Sequence, residues 1–321
     1  MFKPSRSGCP SPSFSGEAEL PVIRLQGLAK SFDGLRAVEG VSFEVRESSI
    51  TVVVGADGAG KSTLFRMLVG LARPDAGRIL LRGRDVTGDL SPLISITGYM
   101  PERFSLYLDL SVEENLNFFA DIHEVPRPRR EALKSKLLQK TGMDAFRRRR
   151  AGALSGGMKQ KLALSAILLA SPDFILLDEP TTGVDPLSRI EFFNIIRDLK
   201  AEGRTVLLAS PYLAEAEKGD YVVFLKKGRV LKSDSIARLK KNFPARVFRL
   251  EPRLPVFEAW KNLPPVKEVR DNVYIQGPSL RCLELPGRDI RRLIPHVRAE
   301  EEPVSLEDIY IYTERGAEAG P

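Results

Sequence analysis

The stretch Gly55-Ala56-Asp57-Gly58-Ala59-Gly60-Lys61-Ser62 fits the pattern G-x-x-x-x-G-K-[ST]. It stands between a β-type run, Ile50 to Val54, and an apolar-periodic run, Thr63 to Leu71. Glycines let the backbone turn tightly, so that successive N–H groups point inward, and the positive end of the following helix dipole falls on the same spot. Lys61 then reaches the β- and γ-phosphates of a nucleotide, and the Ser62 hydroxyl faces a magnesium ion that is also held through an acidic residue ending another strand. Strand, loop and helix in this order predict an α/β core that binds a nucleotide. A Gly-rich turn that binds nothing is the weaker alternative, and the loop alone does not say what the energy drives.

With 321 residues the chain holds one large α/β domain and a smaller appendage. Its 43% hydrophobic and 28% charged residues are those of an ordinary soluble globular protein. The longest apolar candidates, Leu162 to Ala170 and Phe174 to Leu177, are split by Ser171-Pro172-Asp173 and are too short to cross a bilayer, so a membrane role requires a partner. The net charge of +7 favours anionic surfaces such as phospholipid head groups or nucleic acid, with plain solvated surface the simpler reading. Cys9 and Cys282 lie far apart without C-x-x-C spacing, which points away from a metal site or disulfide framework and fits a reducing, cytoplasmic compartment. Lys3 and Arg6 precede no apolar run, so no secretory signal is expected.

Residues 1–20, rich in Ser, Pro and Gly, predict a flexible tail. Alternation predicts strands over Val22 to Leu28 and Val41 to Val45, joined through Lys30 to Gly40. Phe32, in that connection, either anchors the loop in the core or stacks on a purine ring. Gly70 to Gly77 stops the first helix, Arg78 to Arg82 is a short strand, and Ile96 to Met100 is a strand that runs into a loop at Pro101-Glu102. Ser111 and Glu114 form a capping box, and from there to Arg150 the pattern is helical and charged, with a break at Val125 to Pro128. This is a helical insertion, and Arg147 to Arg150 is a solvated basic loop or, less simply, a lipid or phosphate contact. Leu154-Ser155-Gly156-Gly157 opens a further helix, whose Ser-Gly-Gly is an ordinary N-cap or a second anion site.

Phe174 to Leu177 is fully apolar, as in a strand buried on both faces, and it delivers Asp178 and Glu179 at its carboxyl end. Asp178 can hold magnesium through water, and Glu179 can act as general base on an attacking water. Thr181 to Pro186 is a tight turn, Ser188 caps a helix that Gly203 ends, and Thr205 to Ala209 is another buried strand leading to Ser210-Pro211-Tyr212. A helix through Glu217 and a hairpin around Gly228 follow. Beyond Ser233, a basic helix ending over Leu239 to Phe243, strands over Ala245 to Leu250 and Val273 to Gln276, a helix from Asp289 to Ile294 and several prolines predict a small α+β appendage.

The set and order of these pieces, from about Val22 to Leu231, resembles the nucleotide-binding subunit of an ATP-binding cassette (ABC) transporter. Gly98 to Pro101, Phe104 to Tyr107 and Ser155 to Lys161 are similar to the drug- and lipid-exporter branch, whose permeases are of the ABC-2 type. The resemblance implies an ATPase with a P-loop core, an antiparallel β subdomain and a helical subdomain at about 103–170, all within 21–235, and an accessory domain over 236–321. It implies that Phe32 stacks on adenine, that Gly55, Asp57, Gly58, Ala59, Gly60, Lys61, Ser62 and Thr63 hold the ATP phosphates, and that Ser62 and Asp178 hold Mg2+. Glu179 is the implied catalytic base. Two cassettes are expected to close head to tail, with Leu154, Ser155, Gly156 and Gly157 meeting the opposite ATP and Asp185 in the turn at the dimer contact. The helical insertion, with the loop near Glu102, is expected to receive the permease, placing the chain peripherally on the inner face of the cell membrane. The terminal Ser305 to Tyr310 looks like the closing helix of this branch. Cassette ATPases that act on ribosomes or DNA carry two cassettes or a long coiled-coil insertion, so no nucleic-acid partner is expected.

Two positions depart from the family. Glu102 stands where the family usually has a Gln that ligates magnesium, and Pro211 where it has a His that bonds the γ-phosphate. His123 and His296 lie elsewhere and cannot substitute. Glu102 can still ligate magnesium, but its charge opposes the phosphate, and Pro211 can donate no hydrogen bond from side chain or backbone. The sequence therefore predicts a site that binds ATP and hydrolyses it slowly, with an intact signature that completes a faster site on a non-identical partner. Alternatives are a normal homodimeric ATPase, a regulatory subunit with little turnover, and a non-transport cytosolic ABC ATPase.

Overall fold

In the computed structural model, residues 21–103, 106–287, 294 and 297–318 are described. The expected tail over 1–20 and, apart from Ile294, the expected helix from Asp289 lie outside them. β1 (Pro21–Phe32) and β2 (Leu35–Arg46) form one long antiparallel hairpin that turns at Asp33-Gly34, both with positive φ. These strands run further than their alternation predicts, and the expected connection from Lys30 to Gly40 belongs largely to the ladder. The reason is a series of register shifts, two of which contain Gly27 and Gly40 at φ 61° and 65°, that break the period of two without ending the pairing.

β3 (Ile50–Val54) leads through the Gly-rich loop into α1 (Lys61–Leu68), followed by β4 (Ala76–Leu81), β5 (Arg84–Asp85), α2 (Ser91–Ile94) and β6 (Thr97–Met100). The insertion contributes α3 (Val112–Ile122) and α4 (Arg127–Lys140), then short 3-10 turns, before α5 (Gly156–Leu168), β7 (Phe174–Asp178), α6 (Pro186–Ala201), β8 (Thr205–Ser210) and α7 (Leu213–Ala216). β9 (Tyr221–Lys226), β10 (Arg229–Ser235) and α8 (Ile236–Lys241) complete this part. The rest is β11 (Arg246–Pro252), α9 (Val256–Lys261), α10 (Lys267–Asn272), β12 (Val273–Gln276), β13 (Ser279–Glu284), β14 (Val297–Glu302) and α11 (Leu306–Glu318).

The central sheet has the order β10-β9-β3-β8-β7-β6, parallel except for β10, while β2-β1-β4-β5 forms a separate antiparallel sheet. Every residue of β3, β7 and β8 is buried, which is why these runs show no alternation. Parity along the strands then divides the core in two. Val53, Leu176 and Leu207 pack with Leu64, Phe65 and Leu68 of α1, and Val52, Leu177 and Leu208 pack with residues of α5 and α6. Because β3, β8 and β7 are neighbours, their carboxyl ends bring together the Gly-rich loop, Ser210-Pro211 and Asp178-Glu179.

The capping box of α3 forms as the sequence predicts: Glu114 N donates to Ser111 Oγ at 3.2 Å and Ser111 N to Glu114 Oε2 at 2.7 Å. For α6 the expected cap is displaced. Ser188 N donates to Asp185 Oδ1 at 2.9 Å, so Asp185 is the cap and Ser188 lies inside the helix, because Pro186 takes the first helical position where its missing N–H costs nothing.

The appendage is the antiparallel sheet β12-β13-β11-β14 with α9, α10 and α11. Its polar centre is Asp308, fully buried, which accepts from Arg281 at 2.7 and 2.9 Å, from Tyr274 Oη at 2.6 Å and from Ser305 N at 2.7 Å. Burial pushes that carboxyl up, but these donors outweigh it and hold it below its ordinary range. The first turn of α11 also reaches the nucleotide-binding part: Leu306 N donates to Glu217 Oε1 at 2.6 Å, and Tyr310 stands edge-on to Phe224, ring centres 5.3 Å apart. Among the described residues, no helix is long and apolar enough to cross a membrane.

Candidate nucleotide site

The Gly-rich loop needs its glycines at specific points. A Cβ on Gly55 would fall 2.3 Å from Leu225 O, and one on Gly60, at φ +103°, 2.3 Å from Ala37 O. Only glycine fits there, so the loop is pressed against its neighbouring backbone. α1 starts at Lys61, whose buried ammonium donates to Gly55 O at 2.7 Å and Ala56 O at 3.0 Å and pairs with Glu179 Oε1 at 3.0 Å. The next residue, Ser62, donates its hydroxyl to Asp178 Oδ1 at 3.1 Å.

Asp178 ends β7 and is 2% exposed. Burial pushes its carboxyl up to about 6, the charges of Glu179 and Glu102 push the same way, and the Ser62 hydroxyl and Arg66 oppose them. A divalent cation fits this donor set: Ser62 and Asp178 offer hard oxygens within one hydrogen bond of each other, where a positive charge would stabilise a carboxylate that burial disfavours. Glu179 follows with φ +50°, a left-handed backbone uncommon for a residue with a side chain. Its N–H donates to Ala209 O at 3.1 Å and its Oε2 accepts from Thr182 Oγ1 at 3.2 Å.

These groups face an open cleft of about 1130 Å³, whose lining includes Asp57, Gly58, Gly60, Lys61, Ser62, Thr63 and Glu179. Phe32, Leu35, Glu102, Pro211 and Tyr212 line it as well. Phe32 is 45% exposed, with the Lys30 ammonium 5.4 Å from its ring centre, so it lies on the cleft wall and not in the core. Glu102 is exposed in the bend after β6, and Pro211 is half-buried after β8. Tyr212 has its ring 4.6 Å from the Arg189 guanidinium.

Leu154, Ser155, Gly156 and Gly157 do not line the cleft. Leu154 is buried, Ser155 caps α5 by accepting from Met158 N at 3.3 Å, and Gly156 is exposed. Gly157 is where α5 meets the start of α6, since a Cβ there would lie 2.5 Å from Ser188 Cβ. Asp185 is exposed and occupied as the cap of α6. Sequence reasoning did not single out Thr182, Arg36 or Lys227, which also line the cleft. The Thr-Thr pair after Glu179-Pro180 was a usable signal, whereas Arg36, on β2, and Lys227, in the turn between β9 and β10, arrive from distant segments with no local pattern.

The loop, the two carboxylates ending β7 and the parallel sheet define a P-loop nucleotide-binding cassette. Residues 38–182 match the family model described as ABC transporter. Over 301 residues the chain is 38% identical to the probable multidrug ABC transporter ATP-binding protein YbhF of Escherichia coli (strain K12), covering 90% of this chain and 51% of that one. The chain thus spans about half the length of that relative. It is 36% identical over 232 residues to the daunorubicin/doxorubicin resistance ATP-binding protein DrrA of Streptomyces peucetius, covering 71% of this chain and 69% of that one. The solved structure of cbiO1 from Clostridium perfringens, part of the ABC transporter complex cbiONQ, superposes with a TM-score of 0.62 at 25% identity, covering 70% of this chain and 97% of that one. The chain belongs to the ABC transporter family.

Proposed function

We propose that this chain binds ATP with Mg2+ in the cleft and hydrolyses it as one half of a head-to-tail pair of cassettes that drives an ABC-2-type export permease. The permease holds it at the inner face of the cell membrane. The observation that carries this reading is the convergence of Lys61, Ser62, Asp178 and Glu179 through contacts of 3.0 and 3.1 Å across the ends of β3 and β7. Phosphate oxygens take the place of Glu179 as the anionic partner of Lys61, and the loop N–H groups surround them. Released from the ammonium, Glu179 accepts a proton from the attacking water. Ser62 and Asp178 hold Mg2+, which offsets phosphate charge, and Phe32 offers its exposed face to adenine. Ser155, Gly156 and Gly157 serve the partner's ATP, with Asp185 in the turn beside them. An export role is supported by the names of the relatives, one a multidrug and one a drug-resistance ATP-binding protein. We propose the domain limits 21–235, with a helical subdomain at about 103–170, and 236–321.

Glu102 and Pro211 favour a second reading, in which the chain's own site turns over slowly and its signature acts on a non-identical partner. Glu102 lines the cleft as a second anion near the phosphates, and Pro211 lines it with no donor. The test is calorimetric titration of the full chain with Mg·ATP, together with steady-state hydrolysis and co-purification from membranes. Saturable ATP binding and recovery with a multi-span membrane protein support the proposal. No ATP binding, or salt-dependent binding to nucleic acid in place of a membrane partner, overturns it.

A further inference from the structure

Beneath the loop that carries Pro211 lies a buried carboxylate that the mechanism above does not use. Glu215, on α7, is 4% exposed. Its Oε1 accepts from Thr181 Oγ1 at 2.6 Å and its Oε2 from Ser210 Oγ at 2.5 Å, and both hydroxyls are themselves buried. Thr181 follows Glu179 by two residues, and Ser210 is the last residue of β8.

The network extends on both sides. Ser210 Oγ accepts from Tyr212 N at 3.0 Å, and Ser210 O accepts from Gly55 N at 3.4 Å. With its lone pair taken by Tyr212, the Ser210 hydroxyl turns its proton to Glu215, and Thr181 does the same from the other side, so both carboxylate oxygens are needed as acceptors. A carboxylate taken out of water is costly compared with an apolar side chain of similar size. What this one supplies is geometry: it ties the segment after β7 to the segment after β8, next to the first residue of the phosphate loop.

We propose that Glu215 is a positioning residue for hydrolysis, an inference that rests on reading the cleft as an ATP-hydrolysing site. Through Thr181 it fixes the segment that holds Glu179 at φ +50°, and through Ser210 it fixes the loop of Pro211 and Tyr212. Pro211 has no donor with which to anchor that loop to a nucleotide, so the loop is ordered from beneath.

The experiment uses the full chain with Glu215→Gln, Thr181→Val and Ser210→Ala, the last two being small changes of volume that spare the fold. An amide in place of the carboxylate can accept through one oxygen only, so one hydroxyl loses the acceptor for its proton and must reverse to accept from the amide NH2. Three quantities are read: the dissociation constant for Mg·ATP, kcat, and amide hydrogen exchange over 179–182 and 210–212, with β3 as internal reference. In Glu215→Gln, kcat falls about tenfold or more while the dissociation constant stays within about threefold, and exchange rises in both segments but not in β3. Thr181→Val and Ser210→Ala shift kcat in the same direction, and their double variant loses less than the product of the two. The proposal is overturned if Glu215→Gln leaves kcat within about twofold, or if exchange rises equally in β3, as a general loss of stability would produce. If the unaltered chain binds no ATP, the proposed function fails, and with it the claim about hydrolysis, while the exchange measurement alone decides the clamp.

Discussion

Lys61 Nζ and Glu179 Oε1 stand 3.0 Å apart with side chains only 3% and 12% exposed, so the cation proposed to hold the phosphates and the carboxylate proposed to act on the water are each other's partner. Removing one member of a buried pair leaves the other uncompensated. Lys61→Ala is therefore expected to weaken ATP binding about tenfold to a hundredfold, the worth of a charge-assisted hydrogen bond, and also to lower stability. Adding Glu179→Gln to Lys61→Ala restores about 1–3 kcal/mol of that stability in urea unfolding, since the orphaned charge is gone. By itself, Glu179→Gln keeps ATP binding and loses about a hundredfold or more in turnover.

On the second reading, turnover by the chain's own site is limited by Glu102 and Pro211. The double variant Glu102→Gln, Pro211→His removes an anion from the cleft and adds a donor, and its kcat is expected to rise about tenfold or more. Steady-state phosphate release measures it. An unchanged rate would mean that both departures are tolerated and that the slow-site reading is wrong.

Adjacent glycines of the signature should respond differently to the same methyl group. At Gly157 the new Cβ meets Ser188 at 2.5 Å, so Gly157→Ala is expected to cost about 1–3 kcal/mol in unfolding experiments. At Gly156 the nearest atom is Gly183 O at 3.5 Å, an ordinary contact. Gly156→Ala is thus expected to leave stability and ATP affinity nearly unchanged while lowering turnover of the assembled pair, because in the proposed head-to-tail pair that surface meets the partner's nucleotide.

Acid should weaken the appendage. Asp308 has a folded pKa below that of the unfolded chain, so the unfolded state binds more protons between the two values. Its contribution is complete above the ordinary carboxylate range, near pH 4, and is lost as pH falls through the folded value. Trp260, the single tryptophan of the chain, sits in α9 and reports this part selectively by fluorescence. At pH 7, Asp308→Asn is expected to destabilise the appendage by about 3–5 kcal/mol, since Arg281 then lacks its buried partner.

Much of the cleft was legible because its chemistry is local in sequence. Gly55 to Ser62 state a loop geometry, and Phe174 to Glu179 state a strand with two carboxylates at its end. What escaped the sequence depends on contacts between distant segments. Nothing near Glu215 signals that Thr181 and Ser210 converge on it, because β7 and β8 become neighbours only in the folded sheet. The full reach of β1 and β2 was hidden for another reason: bulges erase the alternation on which a strand assignment rests. Asp185 was read as a contact residue and Ser188 as the cap, although the proline between them already marks Asp185 as the position before the helix. Phe32 was undecided between core and stacking surface, and only its place at the exposed end of a hairpin decides that it faces the cleft.

The hydrogen bond from Leu306 to Glu217 spans 89 residues of sequence and arrives two positions from Glu215. A ribosome extends the chain from the phosphate loop toward this helix, so α7 is synthesised well before the group that anchors it. During synthesis the cassette thus carries its loop, both carboxylates of β7 and its central sheet for some time without α11 against α7. The stretch that packs against the helix behind the cleft thus emerges well after the cleft's own motifs, and the order of manufacture leaves the phosphate loop waiting on a later element.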